Sequence, residues 1–328
     1  RRRPDPHRNA RAARRPPRPP AAGRSRAHPA PAGRDGLAVY IDTETTGLAG
    51  GSGTLAFLIG IATIDAAALR LVQFLITRFA AEAALLSAFA ALLPDAGRLV
   101  SFNGKSYDLP LLVTRFRMQG RHAPFTRLAH LDLLHPTRRL FGRRWDHCRL
   151  TTLERELLGF VRSDDLPGAE APQAWFDYMR GGQAGLLIKV VEHNRQDIVS
   201  LAAAHGALAA AVHNPRAYGL DLHGLGRWLA EADETQALAA LDACSDRLCE
   251  DGLRLHAQLL RRAGRWENAV AIWERLAARG CVESIERLAK YHEHVSRDLA
   301  AAWGWCERLP TSDAVEARRR RVRDKMGG

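Results

Sequence analysis

The sequence predicts an α/β domain built on a mixed β-sheet, followed by a small all-α domain of helical repeats. Three observations carry that prediction. Residues 37–215 open with β-branched and aromatic runs and then alternate strand-like with helix-like segments, the order that builds a sheet with helices on its faces. Composition changes after Pro215. From there, residues 225–310 contain helix signals and no strand signal.

Size and composition set the frame. The chain has 328 residues, 46% of them hydrophobic, enough for two domains with a sizeable core. No apolar stretch reaches the roughly 18 uncharged residues of a membrane span, so no membrane partner is expected. The first residues are rich in Arg and Pro and lack the apolar centre of a secretory signal. The five cysteines, Cys148, Cys244, Cys249, Cys281 and Cys306, fit no zinc or redox spacing. They read as reduced thiols, and the expected location is cytoplasmic. Net charge is +12, of which residues 1–36 carry +9 through eleven Arg and two Asp. Residues 1–36 are therefore expected to form a disordered basic tail. Such a tail can bind nucleic acid through its phosphates, without sequence preference.

Taken in order, Ala38–Asp42 is the first strand. Gly50–Gly53 is a turn; it lacks the Gly-Lys-Ser/Thr ending of a phosphate-binding P-loop. Leu55–Asp65 and Leu69–Leu75 read as paired strands. Ala80–Leu93 is an Ala/Leu-rich helix stopped by Pro94. Arg98–Phe102 is a short strand. Leu109–Gln119 is a helix with Pro110 in its first turn. His130–Leu133 is a further strand. Thr151–Leu158 reads as a helix with a Thr151/Glu154 capping box. Residues 161–183 hold Pro, Gly and acidic residues around Trp175-Phe176-Asp177-Tyr178, and Ala184–Val212 reads as one long helix. The boundaries expected are 37–215 for the sheet domain, 216–312 for the helical domain and 313–328 for a frayed basic end. In the helical domain Ala257, Ala269 and Trp273 recur as Ala289, Ala301 and Trp305, a period near 32 residues.

Chemistry concentrates in three places. Val39-Tyr40-Ile41 runs straight into Asp42 and Glu44, which share one face of a strand. Two carboxylates so close repel, and a hard divalent cation relieves them; a solvated strand end is the plainer alternative. Asp108 follows Asn103, Gly104, Lys105 and Tyr107 and either joins such a site or caps a helix. His193 and Asp197 lie one helical turn apart, on a functional or merely solvated face. Asp132, after a short strand, either supports the site or simply ends the strand.

Together these residues resemble the DEDD exonucleases of the ribonuclease H-like superfamily. Asp42 and Glu44 match the first motif. Asn103, Tyr107 and Asp108 match the second, and His193 with Asp197 the third. The text also resembles the YprB-type predicted exonucleases. It does so in Thr45–Leu48 with Gly50–Phe57, Phe102–Pro110, His130–Pro136 and His193–Asp197, over about residues 37–205. A tetratricopeptide-like arrangement of Gly264, Ala269 and Trp273 follows. One departure is clear. Three residues separate His193 from Asp197, the spacing of the family's Tyr subclass, whereas its His subclass generally has four.

The resemblance implies a ribonuclease H-like mixed sheet and a metal-dependent 3′→5′ exonuclease. Asp42, Glu44, Asp108 and Asp197 would hold two Mg²⁺ or Mn²⁺ ions. Glu44 and His193 would be catalytic, with His193 the general base. Thr43, Asn103, Lys105 and Tyr107 would touch the 3′ end of single-stranded DNA or RNA. A protein partner would use the helical repeats. The alternative is a catalytically weak binder or scaffold on the same fold.

Overall fold

A computed structural model of the chain describes residues 37–47, 53–65 and 68–327. The basic N-terminal tail and the turn residues Gly50–Ser52 lie outside these. The first unit comprises the chain up to Leu133 together with Arg149–Ala204.

Its sheet has five strands: β1 (Ala38–Thr45), β2 (Ala56–Ile64), β3 (Leu69–Leu75), β4 (Arg98–Ser101) and β5 (Ala129–Asp132). They lie in the order β3-β2-β1-β4-β5. β1–β2 and β2–β3 are antiparallel, while β1–β4 and β4–β5 are parallel. The hairpin meander therefore supplies one half of the sheet. Parallel pairing in the other half needs helical crossovers. Those helices are α1 (Glu82–Ala91) and α2 (Asp108–Met118). Each buries an aromatic, Phe89 and Phe116, against Phe125 at about 6.2 Å between ring centres.

The chain continues through α3 (Leu134–Phe141), α4 (Leu150–Leu153), α5 (Ala171–Met179) and α6 (Gly185–His213). Between α4 and α5 the backbone makes a π-helical turn over Glu154–Leu158. The capping box does not form. Thr151 lies inside α4, whose N-cap is Arg149, and Glu154 is drawn instead to Arg162 at 2.7 Å. Residues 161–183, to which the sequence assigns no element, contain α5, because tertiary contacts override their Pro and Gly content. Trp175 of α5 is fully buried. It donates to the Ile76 carbonyl at 2.8 Å and stacks on Phe57 at 5.3 Å.

The second unit is Leu134–Cys148 with His205–Gly328. After α3 it contains α7 (Pro215–Tyr218), α8 (Leu222–Ala230), α9 (Glu234–Ala243), α10 (Glu250–Arg262), α11 (Trp266–Ala277), α12 (Val282–His294), α13 (Leu299–Glu307) and α14 (Asp313–Gly327). The division thus falls within α6 rather than at Pro215, and a segment from the middle of the chain joins the helical unit. Asp221 N–H donates to the Leu140 carbonyl of α3 at 2.8 Å, and Leu140 is fully buried.

The internal repeat shifts register partway. Ala257 and Ala289 are both fully buried, but Ala269 is matched by Ala302, one residue after the expected Ala301. Trp305 is half-buried, and Cys306 occupies the buried position. The cause is the connection: residues 263–265 join α10 to α11, and residues 295–298 join α12 to α13, one more. Both connections turn through positive φ, +74° at Gly264 and +59° at Arg297.

The basic C-terminus is not frayed. Arg318, Arg321 and Lys325 lie on one face of α14 and converge on Glu293, at 3.1, 2.5 and 3.0 Å. The Glu293 side chain is fully buried, so a run that would repel itself in water is neutralised in place.

Candidate active site

β1 carries the first two carboxylates. Asp42 faces Gly60 of β2 in register, and Glu44 faces Leu58. Gly60 is required there because α6 comes very close. A Cβ at that position would lie 2.3 Å from both Asn194 Oδ1 and Ile198 Cδ1. Asn194 is fully buried and donates to Asp42 Oδ2 at 2.8 Å. Its own carbonyl accepts from Gln73 at 2.9 Å, which fixes the amide's orientation.

Asp108 is the first residue of α2. It does not cap the helix; Tyr107 holds that position with no side-chain bond. Asp108 instead accepts the Thr43 hydroxyl proton. Gly104 keeps the preceding loop tight, since a Cβ there would lie 2.5 Å from Ser101 Oγ and 3.0 Å from Asp108 Oδ2. Asp132 is not a plain strand end. It accepts from the backbone N–H of Asn103 at 2.7 Å and of Lys105 at 3.0 Å, and Asn103 takes φ +66°. Asp132 thus shapes the loop that carries Asp108.

α6 supplies His193 and Asp197. His193 Nε2 is 3.6 Å from Asp197 Oδ2, and Nδ1 is 2.6 Å from Asp165 Oδ1. The buried Arg162 guanidinium bridges Glu154, Asp165 and Asp197.

Electrostatic repulsion links the four carboxylates. Burial first, then Asp197, Asp108 and Glu44, push Asp42 well above the ordinary carboxylate range, against the Asn194 hydrogen bond. Glu44 is raised to about 8, by burial and then by Asp197, Asp108 and Asp165. Burial raises Asp108 to about 6, despite the Thr43 hydrogen bond. Burial also raises Asp197, while His193 and Arg162 oppose it. Asp165 goes the other way. Burial would raise it, but His193 and Arg162 outweigh burial and hold it below its usual value. Burial would lower the Arg162 pKa, yet Glu154 and Asp197 hold it above the ordinary arginine value.

Of the residues read from the sequence, Asp42, Glu44, Asp108, Asp197 and His193 come together. Thr43, expected to touch substrate, donates its hydroxyl hydrogen bond to Asp108. Lys105 and Tyr107 are exposed, and Asn103 turns its backbone to Asp132. Arg162, Glu154, Asp165 and Asn194 were not singled out. Asn194 stands inside the His193–Asp197 motif, where only its burial sets it apart. Arg162 lies 31 residues from His193 and 35 from Asp197, so no local pattern announces it.

The donor set fits a hard divalent cation in its chemistry. Asp42 and Glu44 are both disfavoured as anions by Asp197 and Asp108 in a poorly solvated place, with Arg162 the positive charge bonded to Asp197. The cage is not closed: among the described residues no three His, Cys, Asp or Glu side chains are gathered around one point. Asn194, Thr43 and Arg162 each hold one carboxylate.

Residues 39–208 match the family model of the RNase_H superfamily, and the chain belongs to that superfamily. Among individual proteins, the chain is similar to the uncharacterized protein YprB of Bacillus subtilis (strain 168). Identity is 33% over 276 residues, covering 80% of this chain and 66% of that relative. The chain therefore spans just under two thirds of the relative's length. Among the described residues, no helix is long and apolar enough to cross a membrane.

Proposed function

We propose that the sheet unit is a 3′→5′ exonuclease acting on single-stranded DNA or RNA ends. Asp42, Glu44, Asp108 and Asp197 would hold two Mg²⁺ or Mn²⁺ ions. Bound there, the ions would make a water more acidic and stabilise charge on the leaving oxygen. The convergence of these four carboxylates from three separate segments is the observation that carries the reading.

The protein's own groups then take definite roles. Asn194 orients Asp42, and Thr43 orients Asp108. Asp165 is held ionised, so it only accepts a proton. The 2.6 Å contact therefore places the imidazole hydrogen on His193 Nδ1. Nε2 is left as the proton acceptor, on the side of Asp197. His193 takes a proton from the attacking water, and Asp165 stabilises the imidazolium that results. This pairing supports the role of base for His193 at the spacing found here. Tyr107 is exposed at the start of α2, where its ring can stack on a base, and Lys105 beside it can meet a phosphate.

The experiment is digestion of end-labelled DNA and RNA strands, with and without a 3′ block, by wild type and Asp42→Asn. Stepwise shortening from free 3′ ends is expected with Mn²⁺, and none with EDTA or with the variant. Equal cleavage of 3′-blocked strands would overturn the exonuclease assignment. Full activity in excess EDTA would overturn the metal site.

A further inference from the structure

Two open grooves on the helical unit adjoin each other, with His223 and Arg227 lining both. Their volumes are about 440 and 280 Å³. The larger runs over α8, α10, α11 and α12; the smaller runs over α3 and α8. Seven arginines and four carboxylates line them, with no lysine. The carboxylates are already answered. Glu231 meets Arg139 at 2.6 Å, Asp251 and Asp221 meet Arg143 at 3.2 and 3.4 Å, and Glu283 meets Arg287 at 3.4 Å. Among the described residues, Arg138, Arg227 and Arg261 form no ion pair. Arg138 and Arg227 are exposed, and Arg261 is half-buried. Three guanidinium groups, on α3, α8 and α10, therefore line this trough of two adjoining grooves without an ion pair of their own.

We propose that this trough binds the phosphodiester backbone of a single nucleic-acid strand, without base-sequence preference, as a second binding site of the chain. A planar guanidinium fork matches two phosphate oxygens, which suits an all-arginine lining better than lysine would. His223 and the half-buried Trp228 offer ring faces along the smaller groove, where bases can stack. The trough is open, as a chain-like ligand requires, rather than closed around a small molecule. Choosing a nucleic-acid strand over an acidic peptide rests on the nuclease reading of the sheet unit.

The test uses the full chain in EDTA, so that no cleavage occurs, and reads fluorescence anisotropy of a labelled oligo-dT strand. Arg227→Glu with Arg261→Glu should weaken binding at least roughly tenfold, and should lower the slope of log affinity against log salt by about 2. Arg275→Glu with Arg279→Glu makes the same charge change outside the trough and should leave affinity within about twofold. Thermal melting confirms that each variant is folded; if the Glu pair is not, Arg227→Gln with Arg261→Gln replaces it. Equal loss in both pairs, or no loss in either, overturns the proposal. So does a trough variant that loses a labelled poly-glutamate peptide while keeping the strand. Binding in EDTA is separate from hydrolysis. A wild type that binds through these arginines but cuts nothing with Mn²⁺ overturns the nuclease reading and leaves the trough standing.

Discussion

Glu44 is a buried side chain whose acidity is set first by burial and then by Asp197, Asp108 and Asp165. In the metal-free protein its pKa lies near 8 rather than 4.5. The folded state therefore binds more protons than the unfolded one, and stability falls as pH rises between about 4.5 and 8. Glutamine cannot ionise and escapes this loss. Glu44→Gln should melt higher than wild type in EDTA at pH 8, by roughly 1–3 kcal/mol or several degrees, with no advantage below the ordinary carboxylate pKa. Saturating Mn²⁺ should reverse the order, and scanning fluorimetry with and without metal checks both. His193 and Asp165 make the second prediction at this scale. His193→Ala should lower turnover roughly 10²–10⁴-fold. Asp165→Asn keeps the shape but loses control of the proton on Nδ1, so it should lower turnover by at least roughly tenfold. His193→Tyr should retain more activity than His193→Ala, with its pH dependence moved upward. Equal activity of all three and wild type, measured on one labelled strand, would leave His193 no catalytic role. His193 was legible because a helix turn joins it to Asp197. Asp165 was not, because its partner lies 28 residues on and only folding brings them together.

Among the elements, β1 was legible from its Val39-Tyr40-Ile41 run, and α6 from a long Ala- and Leu-rich segment free of Pro. α5 was hidden: Pro172 and nearby glycines break the pattern, while its stability comes from Trp175 in the core. α14 was hidden for the opposite reason, since a run of arginines looks repulsive until its counter-ion is known. Glu293 is that counter-ion, and Arg321 first among its partners lowers its pKa to about 2. The unfolded state binds the proton first as pH falls. The pairing therefore stabilises α14 fully above the ordinary Glu pKa of 4.5 and is lost as pH falls through about 2. Two of its partners are over a third exposed, so solvent screens part of the attraction. Glu293→Gln should then cost on the order of 2 kcal/mol at neutral pH and nothing near pH 2. Hydrogen exchange of the α14 amides should rise in the variant at pH 7. Unchanged protection would show that packing around Val322, not charge, holds the helix.

For the whole molecule, the two-unit plan was legible and its boundary was not. Composition can mark where strands give way to helices, but it cannot show that α3 leaves its sequence neighbours for the helical unit. Truncating after about residue 220 would strip Leu140 and Phe141 of the surroundings that bury them, so functional tests belong on the full chain. Residues 1–36 carry most of the net charge, eleven Arg against two Asp. Their removal should weaken nucleic-acid binding and flatten its salt dependence. Turnover at saturating substrate should change less than about twofold, because none of the converging carboxylates lies there. A fall in kcat by orders of magnitude, in steady-state kinetics of the shortened chain, would place that segment in the reaction itself.

Arg162 has a consequence for how the protein would respond to divalent ions. Its guanidinium is a cation tethered to the chain and bonded to Asp197, so dilution cannot remove it. A divalent ion that takes Asp197 competes with this internal rival, and its apparent affinity is reduced by the fraction of molecules in which Arg162 stays bound. The midpoint of a Mn²⁺ titration thus reports a contest, not the intrinsic grip of the oxygens. Arg162→Gln should move that midpoint to lower Mn²⁺, read by calorimetry. The same variant should melt lower in EDTA, because Glu154 loses its partner while remaining buried. A lower midpoint together with a lower melting temperature is what a rival produces; a purely structural arginine would lower the melting temperature and raise the midpoint. Such a chain would stay silent until free divalent ion crosses a threshold that one arginine sets.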